Sequence, residues 1–189
     1  MIAVQPVTEK QQHYTYEDYY SWDDGKRWEL IEGVPYAMAP APSDTHQGIS
    51  SNLHLQLASF LKGKPCKVFH AAYDVRLNAD TGDDTVVQPD LVIICDQSKR
   101  YERGCKGAPD MVVEILSKST ASYDMVTKFN LYQKAGVREY WIVDPDTKTV
   151  SVHVLKNGEY ITRAYSQDDI APVSVLEGCE INLAKVFEL

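Results

Sequence analysis

The sequence predicts an α/β fold with a mixed central sheet and helices on both of its faces. Two nearly continuous apolar runs, at residues 86–95 and 111–117, are typical of strands buried in the middle of a sheet. One long amphipathic segment precedes these runs and another follows them. Central strands placed between two such helices indicate a layered α/β arrangement.

The length and composition favour one globular domain spanning residues 1–189. A hydrophobic content of 44% is sufficient to build a core of ordinary size. No apolar run approaches the roughly 20 residues that a membrane span needs, and the N-terminus lacks the layout of a signal peptide. We therefore expect a cytoplasmic protein. Cys66, Cys95, Cys105 and Cys179 form no CxxC pair, and we expect all four to be reduced thiols.

The charge balance restricts the function classes that fit this chain. It has 27 acidic and 19 basic residues, which give a formal net charge of −8. Proteins that bind nucleic acid without sequence preference are basic, because neutralising phosphates supplies much of their affinity. A role in nucleic-acid chemistry would therefore need a local basic patch, an acidic metal centre, or both.

The first half of the chain shows a helix, a hairpin and a second helix. Residues 15–22 begin with the capping pattern Thr-x-x-Asp, which predicts a short helix. Residues 28–38 form two short strand-like runs around a Glu-Gly-Val turn, which predicts a hairpin. The Ala-Pro-Ala-Pro stretch at 39–42 then interrupts the chain. Ser43 is positioned to cap a helix that runs to about Leu61.

The second half of the chain predicts more strands and a second long helix. The strands are expected at residues 68–77, 86–95, 111–117, 139–143, 149–155 and 159–164. Residues 96–110 are expected to form a polar loop. Ser119 or Thr120 is expected to cap the helix, which would end at Ala135 because Gly136 can adopt the left-handed conformation.

Two carboxylates in apolar surroundings suggest a functional site that binds a metal ion. Asp90 stands at the mouth of one apolar strand, and Glu114 lies inside the next, where an ionised side chain is costly unless it is paired or bound to metal. Asp90 capping a turn and Glu114 pairing with a buried cation are the structural alternatives. Carboxylates on neighbouring strands suit a hard cation such as Mg²⁺, which binds one or two protein carboxylates and keeps several waters.

Lys128 falls on the apolar face of the helix that follows Glu114. A lysine at such a position needs an anion. It could extend its ammonium to solvent, or it could form a structural ion pair with Asp124. The functional alternative is that Lys128 reaches the carboxylates, orients a water molecule and neutralises developing phosphate charge.

The order of these residues resembles the PD-(D/E)XK nuclease signature, with Pro89-Asp90 as its first half and Glu114-Ile115-Leu116 as its second. Across most of the chain, several segments are similar to the bacterial Uma-type restriction endonuclease family. These segments are Trp28-Glu29-Leu30-Ile31-Glu32-Gly33, Ala39-Pro40-Ala41-Pro42-Ser43 with His46-Gln47, Gln88-Pro89-Asp90-Leu91, residues 108–117, Lys128 with Tyr132, and residues 136–141. The resemblance implies a restriction-endonuclease-like fold.

The chain departs from the signature at two positions. Leu116 stands where the signature has its lysine, and the resemblance implies that Lys128 on the helix replaces it. Lys118 stands where the family commonly has proline, and we expect a looser turn there and an added positive charge near the site.

Three further residues are candidates for the site. Glu29 matches an acidic position of the family, and the resemblance implies that it completes the metal shell. The alternative is an exposed carboxylate on a strand. His46 lies on the apolar face of its helix, where a core histidine bonded to a backbone carbonyl is the commoner outcome. Tyr132, one turn from Lys128, is expected to pack in the core with its hydroxyl available to the site.

Together these observations predict a metal-dependent endonuclease that hydrolyses nucleic-acid phosphodiester bonds, with DNA as the expected substrate. Its metal ligands would be Asp90, Glu114 and Glu29, holding Mg²⁺ or Mn²⁺, with Lys128 as the fourth catalytic residue. A homodimer could form along the hairpin at residues 150–165. The alternatives are a catalytically silent nuclease fold that binds nucleic acid or a protein, and a phosphohydrolase of small nucleotides, which the acidic surface would suit.

Overall fold

A computed structural model describes residues 12–38, 41–117 and 123–189. In these ranges the α-helices are α1 (Tyr16–Ser21), α2 (Asp44–Leu61), α3 (Phe129–Ala135) and α4 (Leu183–Val186). The strands are β1 (Trp28–Ile31), β2 (Val34–Ala37), β3 (Lys67–His70), β4 (Asp74–Arg76), β5 (Val86–Val87), β6 (Leu91–Ile94), β7 (Arg100–Tyr101), β8 (Gly104–Lys106), β9 (Met111–Ile115), β10 (Glu139–Asp144), β11 (Thr149–Lys156), β12 (Glu159–Ser166), β13 (Ile170–Pro172) and β14 (Glu180–Asn182). A 3₁₀ turn covers Gln97–Lys99, and a π-helical segment, Tyr123–Lys128, leads directly into α3.

The strands form two six-stranded sheets and one two-stranded sheet. The central sheet has the order β12-β11-β10-β9-β6-β3, in which β9 and β10 are parallel and the other pairs are antiparallel. The side sheet has the order β2-β1-β5-β4-β8-β7. Strands β13 and β14 form the small third sheet. The central sheet is the mixed sheet that the sequence predicts.

Each face of the central sheet is covered by a different helix. Ile49 and Leu53 of α2 share a buried cluster with Leu91 and Val113, which face one side of the sheet. On the other side, α3 and the side sheet bury a second cluster, whose members include Val75, Val87, Val92, Val112, Tyr132 and Tyr140. Because successive strand residues point to opposite faces, burial on both sides explains the continuous apolar runs. The predicted α/β architecture is confirmed.

Several predicted elements are present with their predicted ends. Thr15 caps α1 through a capping box with Asp18, and Ser43 caps α2 by accepting a hydrogen bond from the backbone of His46. The turn between β1 and β2 consists of two residues with positive φ, Glu32 at 48° and Gly33 at 78°, as the twist of a tight hairpin requires. None of the described helices combines the length and the apolar character needed to cross a membrane.

Two predicted strands are wrong in extent, because each is divided between the two sheets. The predicted strand at 86–95 is interrupted after Val87: β5 pairs with β1 and β4 in the side sheet, and β6 pairs with β3 and β9 in the central sheet. Pro89, which lies in the break, has no N–H to donate to a strand ladder. The predicted strand at 68–77 is divided in the same way into β3 and β4.

Other differences concern the loops. The predicted polar loop at 96–110 contains the 3₁₀ turn and the β7–β8 hairpin. Strands β13 and β14 and helix α4 were not predicted, because they are short and lack a clear period. The predicted chain break at Ala39-Pro40 and the predicted helix cap at Ser119 or Thr120 lie outside the described residues.

The prediction that all four cysteines are reduced is wrong for one pair. Cys66 and Cys95 form a disulfide, whereas Cys105 and Cys179 are free and buried. The antiparallel pairing of Lys67 with Ile94 places Cys66 opposite Cys95 at the ends of β3 and β6. This proximity depends on strand register, which a separation of 29 residues in the sequence does not reveal.

Gly104 allows β4 and β8 to approach each other, and its replacement tests the side sheet. A methyl group at Gly104 would overlap the backbone carbonyl of Asp74 on the paired strand. We therefore expect Gly104→Ala to lower the free energy of unfolding by about 1–3 kcal/mol, measured by urea denaturation.

The matched control is Gly48→Ala, in the interior of α2. There the added methyl group meets only the side chain of Leu189, which is 69% exposed at the C-terminus and can move aside. This replacement should leave stability unchanged or raise it by about 0.5–1 kcal/mol, because alanine favours the helix. Equal effects of the two replacements would contradict the close pairing at Gly104.

Candidate functional site

Asp90 and Glu114 lie side by side at the end of the β6–β9 pair. The antiparallel register pairs Leu91 with Val113, so the next positions along the two chains are Asp90 and Glu114. The carboxylate of Asp90 also accepts a hydrogen bond of 2.7 Å from the backbone N–H of Ile115. Asp90 thus continues the strand ladder with its side chain, and the two carboxylates are fixed to the same rigid sheet.

Glu114 is 4% exposed and points toward the helix that contains Lys128. Its Oε1 atom accepts hydrogen bonds from Lys128 Nζ at 2.9 Å and from the hydroxyl of Tyr132 at 2.8 Å. Lys128 and Tyr132 are one helical turn apart, so both can reach the same carboxylate. The cation that a buried glutamate requires is therefore supplied by this chain.

Lys128 joins two carboxylates rather than one. Its Nζ atom lies 3.1 Å from Glu29 Oε1, in addition to its contact with Glu114, and the lysine is only 5% exposed. Taking these charges out of water is costly, so close mutual contact is needed to hold them inside the protein. Two carboxylates and one ammonium carry a formal charge of −1, which favours a further cation nearby. The side chain of Asp124, the alternative partner in the sequence, lies outside the described residues.

Glu29 connects the side sheet to the site. It lies on β1, is 4% exposed, and accepts a hydrogen bond of 2.9 Å from the backbone N–H of Gln88. Gln88 is in the short segment that connects β5 of the side sheet to β6 of the central sheet. Glu29 is therefore buried, and the structural alternative of an exposed strand carboxylate is wrong.

His46 lies beside the carboxylate of Asp90. Its Nε2 atom is 3.2 Å from Asp90 Oδ2, and its side chain is 12% exposed. His46 is in the first turn of α2, on the helical face that continues through Ile49 and Leu53. The helix that covers one side of the central sheet thus also contributes a side chain to the site.

Tyr132 is fully buried and remains a hydrogen-bond donor. Burial raises its pKa well above the ordinary value, and the negative charges of Glu114 and Glu29 raise it further. The phenol therefore stays protonated at physiological pH. Its hydroxyl holds Oε1 of Glu114 on the side where Lys128 also binds.

Leu116 occupies the strand position where the PD-(D/E)XK signature has a lysine. Its side chain packs against the same buried cluster as Tyr132, and its backbone N–H donates to the carbonyl of Val143 at 2.8 Å. The ammonium at Glu114 comes instead from Lys128 on the facing helix. Lys128 thus pairs with the glutamate of the signature, and its replacement of the signature's lysine in catalysis stays a prediction. Lys118, the other departure, lies outside the described residues.

A second layer of polar residues, which the sequence analysis missed, surrounds Gln88. Its side-chain nitrogen donates to the hydroxyl of Tyr19 at 3.0 Å and to Asp74 at 2.9 Å, and its oxygen accepts from Arg27 at 2.6 Å. The position of Gln88 directly before Pro89-Asp90 was a signal in the sequence. Tyr19, Asp74 and Arg27 are distant from it in the chain, and nothing in their spacing indicated the contact.

The donor set fits a hard divalent cation that takes few protein ligands. Asp90, Glu114 and Glu29 offer carboxylate oxygens, which are the ligands that Mg²⁺ prefers. Among the described residues, no group of three or more histidines, cysteines and acids is arranged to enclose a metal ion. The arrangement suits an ion held by one or two carboxylates and completed by water and phosphate oxygens, as is usual for Mg²⁺.

Comparisons with known proteins agree with this fold. An uncharacterised protein from Synechocystis sp. is 28% identical over 157 residues, which cover 81% of this chain and 80% of the relative. A crystal structure described as a putative nuclease of the DUF820 family from Anabaena variabilis superposes with a TM-score of 0.74 at 22% identity, covering 92% of this chain and 97% of the other. That likeness shows a shared fold.

A family-level match covers most of the chain. The sequence model of the Uma2 family, described as "putative restriction endonuclease", matches residues 16–184, a range that contains every candidate site residue discussed above. The description of the family supports a nuclease function. The chain belongs to the Uma2 family.

Proposed function

We propose that the protein is a metal-dependent endonuclease that uses Mg²⁺, or Mn²⁺ in its place, to hydrolyse phosphodiester bonds in nucleic acid. The observation that carries this proposal is the shared contact of the Lys128 ammonium with Glu29 and Glu114. Glu114 lies next to Asp90, and the chain belongs to a family described as "putative restriction endonuclease". Carboxylates that can hold the ion and a cation that can stabilise charge on the phosphate suit phosphodiester hydrolysis at a metal centre.

Asp90 and Glu114 would hold the metal ion, and Glu29, as the third carboxylate, would complete the metal shell through water. When bound, the ion would polarise the phosphate and lower the pKa of a water molecule. The hydrogen bonds from Ile115 to Asp90 and from Tyr132 to Glu114 fix both carboxylates, so they need little reorganisation to receive a cation. Fixing ligands in this way favours binding.

The residues around the carboxylates divide the remaining tasks. Lys128 provides a positive charge that can orient the attacking water and stabilise charge developing on the phosphate. Tyr132 holds Glu114 in place, and His46 holds Asp90 from the side of α2. His46 is a positioning residue in this proposal, since the group it contacts is Asp90.

We propose DNA as the substrate, the cytoplasm as the compartment, and a homodimer as the assembly. Strand β12 supports the last proposal, because it is the outermost strand of the central sheet. Ile161 on this strand is 52% exposed, and an exposed edge strand can pair with a second copy of itself.

A catalytically silent fold is the second candidate, and one observation favours it. Lys128 already neutralises part of the charge on Glu29 and Glu114, so the cluster can be stable without a metal ion. The lysine could then be structural, and the chain would bind nucleic acid without cutting it. The two predictions that follow separate these functions.

Replacing Glu114 tests the nuclease function. Glu114→Gln removes a metal ligand and keeps the shape and the hydrogen bond from Tyr132. We expect cleavage of DNA in the presence of Mg²⁺ to fall by roughly 100-fold or more, since even outer partners of metal ligands contribute 10–100-fold. Gel assays on circular and linear DNA measure the loss, and circular dichroism checks the fold.

The matched control is Glu32→Gln, which alters an exposed glutamate in the β1–β2 turn whose carboxylate pairs with Lys134 at the surface. This control should cut DNA at the rate of the unmodified protein. Equal activity of the two variants would exclude Glu114 from the reaction.

Replacing Lys128 tests whether metal and lysine share the same carboxylates. In Lys128→Met, Glu29 and Glu114 lose their buried cation, and we expect stability to fall by about 3–5 kcal/mol. Mg²⁺ or Mn²⁺ should then raise the melting temperature of the variant more than that of the unmodified protein, because the metal takes over the neutralising role. Differential scanning calorimetry with and without metal measures both effects.

Lys134→Met is the control for this measurement. Lys134 is on the same helix, but its ion pair with Glu32 is exposed at the surface. Loss of this ion pair should therefore change the stability of the protein little. If metal raises the melting temperatures of both variants and the unmodified protein equally, the ion does not bind at the carboxylates that Lys128 contacts.

A further inference from the structure

A pocket rich in aromatic and charged side chains opens beside the candidate site, on the outer part of the side sheet. Its cavity volume is about 200 Å³. We call it the aromatic pocket and define it by the aromatic residues Tyr20, Trp22 and Trp28, the cations Lys26 and Arg103, and the carboxylate of Asp74. Arg27 and Gln88 also line it and connect it to the site.

The aromatic rings of the pocket form a cluster that reaches the surface: Trp22 also meets the rings of Tyr14 and Tyr19 edge to face, and Tyr20 is the exposed ring of the pocket. The rings of Trp22 and Trp28 meet edge to face, with centroids 5.9 Å apart, and both residues are only half-buried. Tyr20 is 54% exposed, and the guanidinium of Arg103 lies 4.4 Å from the centre of its ring. Exposed aromatic faces with cations beside them are the surfaces on which proteins stack the bases of single-stranded nucleic acid.

Asp74 gives the pocket a buried hydrogen-bond acceptor. It is 8% exposed, and its Oδ1 atom accepts from the hydroxyl of Tyr19 at 3.1 Å and from the side chain of Gln88 at 2.9 Å. Burial, followed by the charge of Asp74, raises the pKa of Tyr19, so the phenol remains a donor. No group in the described part of the chain donates to the second oxygen, Oδ2. A ligand with an N–H group would complete the hydrogen bonding of this carboxylate.

Gln88 joins the aromatic pocket to the candidate metal ligands. Its side chain contacts Asp74 in the pocket, and its backbone N–H donates to Glu29, which contacts Lys128. Only Pro89 separates Gln88 from Asp90 in the chain. A nucleotide with its phosphate at the carboxylates therefore has the pocket next to it. Lys26, Arg27 and Arg103 also supply local positive charge on a chain whose net charge is −8.

We propose that the aromatic pocket binds one unpaired base of the substrate strand, with cytosine preferred over thymine. The base would stack on the exposed ring of Tyr20, and its amino group would donate to Asp74, a pairing that carboxylates make with the cytosine N4 group. Thymine offers one N–H between two carbonyl oxygens. The carboxylate of Asp74 repels these oxygens, so thymine should bind less well. This inference rests on the proposed nuclease function and specifies its substrate as single-stranded or locally unpaired nucleic acid.

Binding measured without divalent metal tests the pocket separately from cleavage. The probes are short oligo-dC and oligo-dT at mildly alkaline pH in the presence of a chelator, and the signal is the quenching of tryptophan fluorescence. Trp141 is fully buried, so a change reports on Trp22 and Trp28. We expect oligo-dC to bind roughly 10-fold more tightly than oligo-dT, which is within the usual discrimination of a specific base contact.

Two replacements distinguish base recognition from general attraction. Asp74→Asn keeps an acceptor for Tyr19 and Gln88 but turns the second oxygen into a donor, so the preference should move toward oligo-dT. Tyr20→Ala, on an exposed ring, should weaken the binding of both oligonucleotides by roughly 10-fold through lost stacking. Should Asp74→Asn fail to fold by circular dichroism, the result with Tyr20→Ala decides the matter.

Arg103→Ala has a matched control in Arg163→Ala, which removes the same charge from the exposed β12 strand. Arg103→Ala should weaken binding more than Arg163→Ala does. Equal losses of affinity in the two variants would contradict the proposal that the pocket binds a base. Equal affinity of the unmodified protein for oligo-dC and oligo-dT would contradict it as well. Cleavage of DNA without base preference would support the nuclease function and contradict base recognition by the aromatic pocket. Preferential binding of oligo-dC without any cleavage would support the pocket and refute the nuclease function.

Discussion

The buried ammonium of Lys128 is the interaction on which the rest of the structure depends. It contacts Glu29 on a strand of the side sheet and Glu114 on a strand of the central sheet, while its own helix packs against both. Each carboxylate would be costly to bury alone, and the lysine would be costly without them. The three elements must therefore keep one relative position, and this requirement fixes how the side sheet lies against the central sheet.

The short segment between β5 and β6 makes that arrangement possible. Strand β5 belongs to the side sheet and β6 to the central sheet, and the segment between them contains Gln88, Pro89 and Asp90. In this segment the backbone of Gln88 binds Glu29, and the side chain of Asp90 binds the backbone of Ile115 on β9. The point where the chain changes sheets is thus also where the acidic residues meet. Proline at this point favours the break, because it cannot donate to either ladder.

The sequence could predict the residues that stand out against an apolar background. Glu114 and Lys128 each place a charge where the pattern calls for an apolar side chain, and Asp90 stands directly before an apolar run, so their apolar surroundings in the sequence mark them. The position of His46 beside Asp90 was not predictable in this way, because a polar residue on a helix face fits a core or a site equally well. The side sheet could not be predicted from the sequence either, because β5 and β6 belong to different sheets but form one apolar run in the sequence. Contacts of this kind depend on register and packing, which local pattern does not encode.

The net charge of −8 is compatible with nucleic-acid chemistry because the charges are unevenly distributed. Glu29 and Glu114 are buried against Lys128, and in the proposed mechanism a metal ion mediates their contact with the substrate. The cations of the aromatic pocket are few and lie among aromatic rings, so in the proposed binding mode stacking would supply a large share of the affinity for nucleic acid. Stacking is less sensitive to salt than phosphate neutralisation is. An acidic protein can therefore hold a nucleic-acid strand by its bases, and this mode of binding requires bases that are unpaired.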